Sequence, residues 1–195
     1  MKSKLIFATN NQHKIDEIRP LIGNQFELIT LKEAGIYIDI PEPHDTLEAN
    51  ATEKSRTIYR LTQQNCFSED TGLEVAALNG EPGVKSARYA GETRHFQANI
   101  DKLLQNMLGQ ANRKAQFRTI VSLILTGKEY QFEGICEGEI IEEQKGIEGF
   151  GYDPVFIPDG ASKTFAEMIP NEKNIFSHRS KAIAKLLDFL NNQQV

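Results

Sequence analysis

Residues 4–9, Lys-Leu-Ile-Phe-Ala-Thr, form a short apolar strand-like run that ends in Thr9-Asn10-Asn11 and passes directly into a helical pattern. Ile15, Ile18, Leu21 and Ile22 share one face of that helix, Gly23 stops it, and Pro20 falls in its last turn. A strand that feeds a helix start through polar capping residues opens an α/β chain, and the remaining pattern keeps to that class. Glu27 to Leu31 reads as a second strand and Pro41-Glu42-Pro43 as a break. Asp45 or Thr46 then caps a helix carrying Leu47, Ala51, Ile58 and Leu61. Cys66-Phe67-Ser68 reads as a strand that ends in a turn at Glu69-Asp70-Thr71-Gly72, followed by alternating Leu73, Val75 and Ala77. Gly80, Pro82, Gly83 and Gly91 shape a loop over residues 79–91. Phe96, Ile100, Leu103, Leu104, Met107 and Leu108 have helical spacing. Residues 115–126 and 130–141 read as strands joined by Gly127-Lys128-Glu129, and a last helix runs from Ser177 to Leu190. Strands and helices intermix without repeat or linker, so the expectation is one α/β domain over residues 1–195, built around a mixed sheet.

Charge narrows the partners. The chain carries 27 acidic residues against 22 Lys plus Arg, a net charge of -5. A nucleic-acid coat or an anionic membrane surface calls for a basic face, so neither is expected as a partner. A small phosphorylated ligand needs only a few local cations. No apolar run approaches the length of a membrane span. Met1 to Ile6 goes straight into the first strand without the pattern of a leader, which makes a cytoplasmic location the expectation. Cys66 and Cys136 form no CxxC and read as reduced, buried thiols.

Five clusters are candidates for chemistry. Thr9-Asn10-Asn11 with Lys14 puts amides, side-chain donors and a cation at a helix start, either as a phosphate site or as plain capping beside a surface lysine. There is no GxxxxGK[ST], which excludes a P-loop. Glu69 and Asp70 offer hard oxygen ligands suited to magnesium, and a carboxylate there can orient or deprotonate a water; the plain alternative is a pair of solvated acids. Glu48 is a metal ligand or, three residues after Asp45, the acid of a capping box, and Lys54 on the same helix reads as a surface lysine unless phosphates lie nearby. Gly149-Phe150-Gly151-Tyr152-Asp153-Pro154 frames an aromatic ring for stacking on a planar ligand, or forms a turn with a buried aromatic. Lys173 and Ser177-His178-Arg179 place cations where the last helix begins. The helix dipole disfavours them there, which tilts the reading from surface charge toward ligand binding.

Taken together and in order, these segments resemble the inosine triphosphate pyrophosphatase family, also called XTP/dITP diphosphatases. The resemblance rests on Ala8-Thr9-Asn10-Asn11 with Lys14 and on Thr46-Leu47-Glu48-Ala49-Asn50-Ala51 with Lys54. It continues through Glu69-Asp70-Thr71-Gly72-Leu73, Pro82-Gly83-Val84 with Ser86 to Gly91, Gly149 to Pro154, and Ser177-His178-Arg179. It implies an elongated mixed sheet flanked by helices, with two lobes and a central cleft, in a homodimer. It implies magnesium-dependent hydrolysis of inosine and xanthosine triphosphates to a monophosphate and pyrophosphate. By the same resemblance, Thr9, Asn10, Asn11, Gln12, His13 and Lys14 hold the triphosphate. Asp70 binds magnesium and activates water, and Thr71 contacts substrate. Phe150, Gly151, Tyr152, Asp153, Lys173, His178 and Arg179 hold the base and sugar, with Arg179 and backbone amides near Phe150 as donors to the C6 oxygen. The commoner family pattern has a metal-binding Glu where this chain has Ala49, so the second metal ligand is expected from Glu48 or Glu69. Two rivals follow: a Maf-like pyrophosphatase with pyrimidine preference, and a nucleotide sensor that has lost catalysis.

Overall fold

The computed structural model describes residues 3–23 and 26–193; Met1 and Lys2 of the opening segment lie outside them. In chain order the elements are β1 (Ser3–Phe7), α1 (Gln12–Ile22), β2 (Phe26–Thr30), α2 (Leu47–Thr62), β3 (Cys66–Val75), β4 (Pro82–Gly83) and α3 (Phe96–Asn106). They continue with β5 (Lys114–Leu125), β6 (Lys128–Ile140), β7 (Phe156–Pro158), α4 (Pro170–Phe176) and α5 (His178–Asn192). The strands form a mixed sheet in the order β2-β1-β3-β5-β6-β7, with β4 on β3. β1 pairs parallel with β2 and β3, whereas β3–β4 and β6–β7 are antiparallel.

The chain divides into two units: Met1–Asp70, Thr119–Gly134 and Arg179–Val195 in the first, Thr71–Arg118 and Ile135–His178 in the second. In unit 1, strand alternation sorts the core into two faces. Leu5 and Phe7 of β1 and Phe67 of β3 pack with Ile15, Ile18 and Ile22 of α1 and with Ala182, Ile183, Leu186 and Leu190 of α5. Ile6, Ala8 and Cys66 pack instead with Ile58 of α2. Phe7 and Phe67 stack with ring centroids 4.6 Å apart. In unit 2, Leu73, Val75, Phe117, Cys136, Ile140, Val155, Phe156 and Phe165 form one core with Ile100 and Leu103 of α3 and with Met107, which caps it.

Several boundaries differ from the pattern reading. Pro20 does not end α1, which runs to Ile22 before Gly23 caps it at φ +59°. The hairpin turns at Thr126-Gly127, both with positive φ, so Lys128 and Glu129 already belong to β6. Thr46, not Asp45, caps α2: its Oγ1 accepts from Ala49 N–H at 3.2 Å. Glu48 therefore sits one position short of the capping-box place.

The main correction concerns residues 69–72. They are not a turn but the middle of the ten-residue strand β3. Gly72 is there for close approach rather than for turning. A Cβ on it would stand 2.7 Å from the Gly83 carbonyl oxygen on the paired strand β4.

Candidate functional site

In unit 1 the site is built on the end of β1, on residues 69 and 70 within β3, and on α1, α2 and α5. Asn11 caps α1, its Oδ1 accepting from Lys14 N–H at 3.3 Å, and Asn11 N–H donates to Thr9 Oγ1 at 3.1 Å. Asn10 Nδ2 donates to the Ile38 carbonyl at 2.8 Å. Thr9, Asn10 and Asn11 thus shape the turn, and the α1 amide end with its dipole remains the anion-favouring feature. Gln12 reaches along the helix to Asp16 at 2.7 Å, and His13 is exposed beside it.

Glu69 and Asp70 are consecutive on β3, so their side chains leave by opposite faces. Glu69 turns toward α1 and α5. Its fully buried carboxylate lies 2.8 Å from Lys14 Nζ and 3.3 Å from Arg179 Nη2. Arg179, 2% exposed, also pairs with Glu17 of α1. Arg179 thus pairs with two carboxylates of unit 1, where the resemblance implied a base oxygen.

Asp70 turns toward α2, and there Lys54 meets it. Lys54 Nζ lies 2.7 Å from Asp70 Oδ1 and 2.8 Å from Glu42 Oε1. Lys54 is thus no surface lysine; it is 6% exposed. Burial works against its ammonium, but Asp70 and Glu42 together outweigh that, and its pKa stands above the ordinary lysine value. Burial raises the Asp70 pKa, and Glu42 adds to this, over the opposing pull of Lys54 and Lys14. An acid made more basic in this way is a better proton acceptor.

The acid brought to Asp70 is therefore Glu42, which pattern reading passed over as part of a proline break. Glu69 faces away from Asp70, and Glu48 lies half-buried on the first turn of α2. Asn50 holds the segment that carries Glu42. Fully buried, it accepts from His44 N–H at 2.9 Å and donates to the His44 carbonyl at 3.0 Å. Helix α2 is itself pinned. Ser68 Oγ donates to the Ala51 carbonyl at 2.5 Å and Ser55 Oγ meets Ser122 Oγ at 2.7 Å. Glu129 accepts from Thr52 at 2.5 Å, Ser122 at 2.9 Å and Arg56 at 2.8 Å. Two convergent carboxylates already hold one cation, the Lys54 ammonium. Magnesium commonly takes one or two carboxylates plus phosphate oxygens, so this donor set fits it.

Unit 2 holds the other candidates. Thr71 follows Asp70 on β3. In the turn before β7, Asp153 Oδ2 accepts from Phe150 N–H at 2.9 Å and from Lys173 Nζ at 2.6 Å. Lys173 projects from α4, 5.5 Å from the Phe150 ring centroid and 5.3 Å from that of Phe165. Gly149 and Gly151 take φ of +74° and +64°, which the turn requires. Tyr152 is buried and its hydroxyl donates to the Ser86 carbonyl at 2.9 Å, so it anchors the turn. His178, also buried, stacks on Phe117 with centroids 4.7 Å apart. The half-buried Phe150 ring and the Lys173 ammonium form a pairing suited to a flat, acceptor-bearing ligand.

Sequence reading missed Glu42, Glu17, Asn50 and Ser86 as contributors. Asn50 lies in the helix segment and Ser86 in the loop that carry the resemblance, but nothing local to either indicates what it bonds.

The fold and these two groups of residues define a class: α/β proteins that set paired acids and lysines beside a helix start, with an aromatic–lysine turn elsewhere in the chain. Within that class the chain belongs to the Ham1 family, whose model matches residues 5–189. It is 47% identical over 187 residues to a dITP/XTP pyrophosphatase of Flavobacterium johnsoniae, covering 96% of this chain and 97% of that protein. It is 50% identical over 188 residues to one of Porphyromonas gingivalis, covering 96% and 97%. The solved structure of the Staphylococcus aureus Ham1 protein superposes with a TM-score of 0.89 at 37% identity, over 98% of this chain and 100% of that one.

Proposed function

We propose that this protein hydrolyses non-standard purine nucleoside triphosphates, dITP, ITP and XTP, to the monophosphate and pyrophosphate, removing them from the nucleotide pool. The observation that carries the reading is the buried Asp70–Lys54–Glu42 group in a chain whose relatives are named for this activity.

In this reading Lys14 and the α1 amide end bind phosphate oxygens, and Lys54 neutralises them as charge moves onto the leaving pyrophosphate. Asp70 and Glu42 would hold magnesium, which would supply charge neutralisation for the phosphate oxygens. Asp70 accepts the proton of the attacking water. Glu69 keeps Lys14 in place from one side, and Arg179 keeps Glu69. In unit 2, Phe150 offers its ring to a purine and Lys173 offers a donor to an oxygen at C6. Adenine carries an amino donor at C6 and leaves that Lys173 donor unsatisfied, which disfavours it. Thr71 contacts the substrate, and His178 supports the base end through its packing on Phe117. Residues 1–195 act as one catalytic domain. The family resemblance also supports a homodimer and a cytoplasmic setting. Among the described residues no helix is long and apolar enough to cross a membrane.

The test is to incubate the pure protein and magnesium with ITP, dITP, XTP, GTP, ATP and a pyrimidine triphosphate, assaying pyrophosphate and orthophosphate separately. Pyrophosphate release with preference for ITP, dITP and XTP is expected. Orthophosphate release, pyrimidine preference, or binding of ITP without turnover would each overturn the reading.

A further inference from the structure

Lys54 stands where a divalent cation would be expected. Its Nζ makes two short ion pairs, 2.7 Å to Asp70 and 2.8 Å to Glu42, and nearly all of its side chain is enclosed. These are the same two carboxylates whose oxygen chemistry fits magnesium. An ammonium and a divalent ion cannot share them cheaply: the two cations repel at this distance, and Lys54 already takes one oxygen of each acid. Lysine is suited to leaving, because its charge sits on a flexible four-carbon stem with three rotatable donors. Triphosphate oxygens would be the alternative partner. The α1 start, where they are proposed to bind, belongs to the same unit, and Asp70 already feels the charge of Lys14 there.

We propose that Lys54 acts as an internal counter-ion that closes the metal position in the ligand-free protein, so that the divalent ion enters only with a triphosphate that draws the ammonium away. The proposal rests on the functional reading above, since it takes Asp70 and Glu42 as the metal's ligands. Its content is different: metal alone binds poorly, metal and phosphate bind cooperatively, and the lysine is the coupling element. Coupling between two ligands is reciprocal, so metal must tighten triphosphate binding by the same factor as triphosphate tightens metal binding; separately, the Lys54 ammonium is a cation for the phosphate oxygens, so its removal weakens phosphate binding.

That gives a signature of opposite signs in one variant. Bind Mn2+, a hard ion with the same ligand preference, to protein without nucleotide, following the free-ion signal by electron paramagnetic resonance. Separately, bind inorganic tripolyphosphate in metal-free buffer by calorimetry. Lys54→Met should tighten Mn2+ binding about tenfold or more, within the usual range of such couplings, and weaken tripolyphosphate binding by a comparable factor. Lys54→Arg keeps the charge and should leave Mn2+ binding as weak as in the wild type. Should Lys54→Met not fold without metal, Lys54→Gln takes its place, because its amide can still donate to both acids. A neutral variant that binds Mn2+ no better than the wild type overturns the proposal, as does one that loses both ligands together, the mark of mere structural damage. Failure here with normal pyrophosphate release by the wild type would leave the enzymatic reading standing. Failure of the release assay itself would show up separately.

Discussion

Replacing Gly149 with alanine tests how the Phe150 turn is held. Gly149 has φ +74°, and a Cβ on it would lie 2.1 Å from Asp153 Oδ2 and 3.0 Å from its Cγ. Two costs follow. A left-handed conformation costs a non-glycine residue about 1–2 kcal/mol. In addition the carboxylate must withdraw, and it is held by Phe150 N–H at 2.9 Å and by Lys173 Nζ at 2.6 Å. The two side chains of that ion pair are only 4% and 9% exposed. Breaking a buried pair costs about 3–5 kcal/mol when one partner is removed, and partial withdrawal forfeits roughly half of this or more. Gly151→Ala is the control, since φ there is +64° but nothing lies within 4 Å of the added Cβ. It carries the backbone cost alone, about 1–2 kcal/mol. Urea unfolding of the wild type and both variants measures the difference, expected at about 2–4 kcal/mol between them. The KM for ITP should rise more in Gly149→Ala. If the two alanines destabilise equally, the Asp153 carboxylate is not the strut described here.

Other outcomes follow from the same geometry. Asp70→Asn should lower pyrophosphate release at least about a hundredfold while calorimetric nucleotide affinity stays within a few-fold, because it removes the proton acceptor and keeps the shape. Glu129 works against the burial that would raise its pKa: bonds from Thr52, Ser122 and Arg56 bring it below the ordinary 4.5. A carboxylate lowered on folding stabilises above its unfolded value, and that contribution is lost as pH falls through the folded value. The stability gap between wild type and Glu129→Gln should therefore be full at neutral pH and shrink below about pH 4.5, read by denaturation at each pH. Burial pushes the Cys66 thiol up to about 12, so at pH 8 an aromatic disulfide reagent should leave it unmodified until the chain is unfolded.

Periodicity revealed the elements whose apolar residues repeat locally. α1 shows Ile15, Ile18 and Ile22 on one face, and α5 shows Ile183, Leu186 and Leu190; both bury those residues. It failed at Gly72, where a glycine serves the close approach of the Gly83 carbonyl and looks, in sequence, like a turn. The site was legible as a set of segments but not as a set of contacts. Glu42 and Lys54 are 12 residues apart and Lys54 and Asp70 are 16 apart, with no helical or strand period to link them. Arg179 finds Glu17 across 162 residues and Glu69 across 110. Such pairs are created by the parallel neighbours of β1 and by the helices packed on either face. A motif can name the residues, but only the packing assigns the partners.

The strand that carries the two acids also has a reading frame. Inserting one residue just before Glu69 would bring Glu69 to the place that faces Lys54, and deleting one would bring Asp70 to the place that faces Arg179; in each case the other acid leaves by the wrong face and out of reach of its partner. Composition would hardly change, yet both ion pairs would be mismatched in length and neighbours. This stretch should therefore tolerate altered side chains better than altered length.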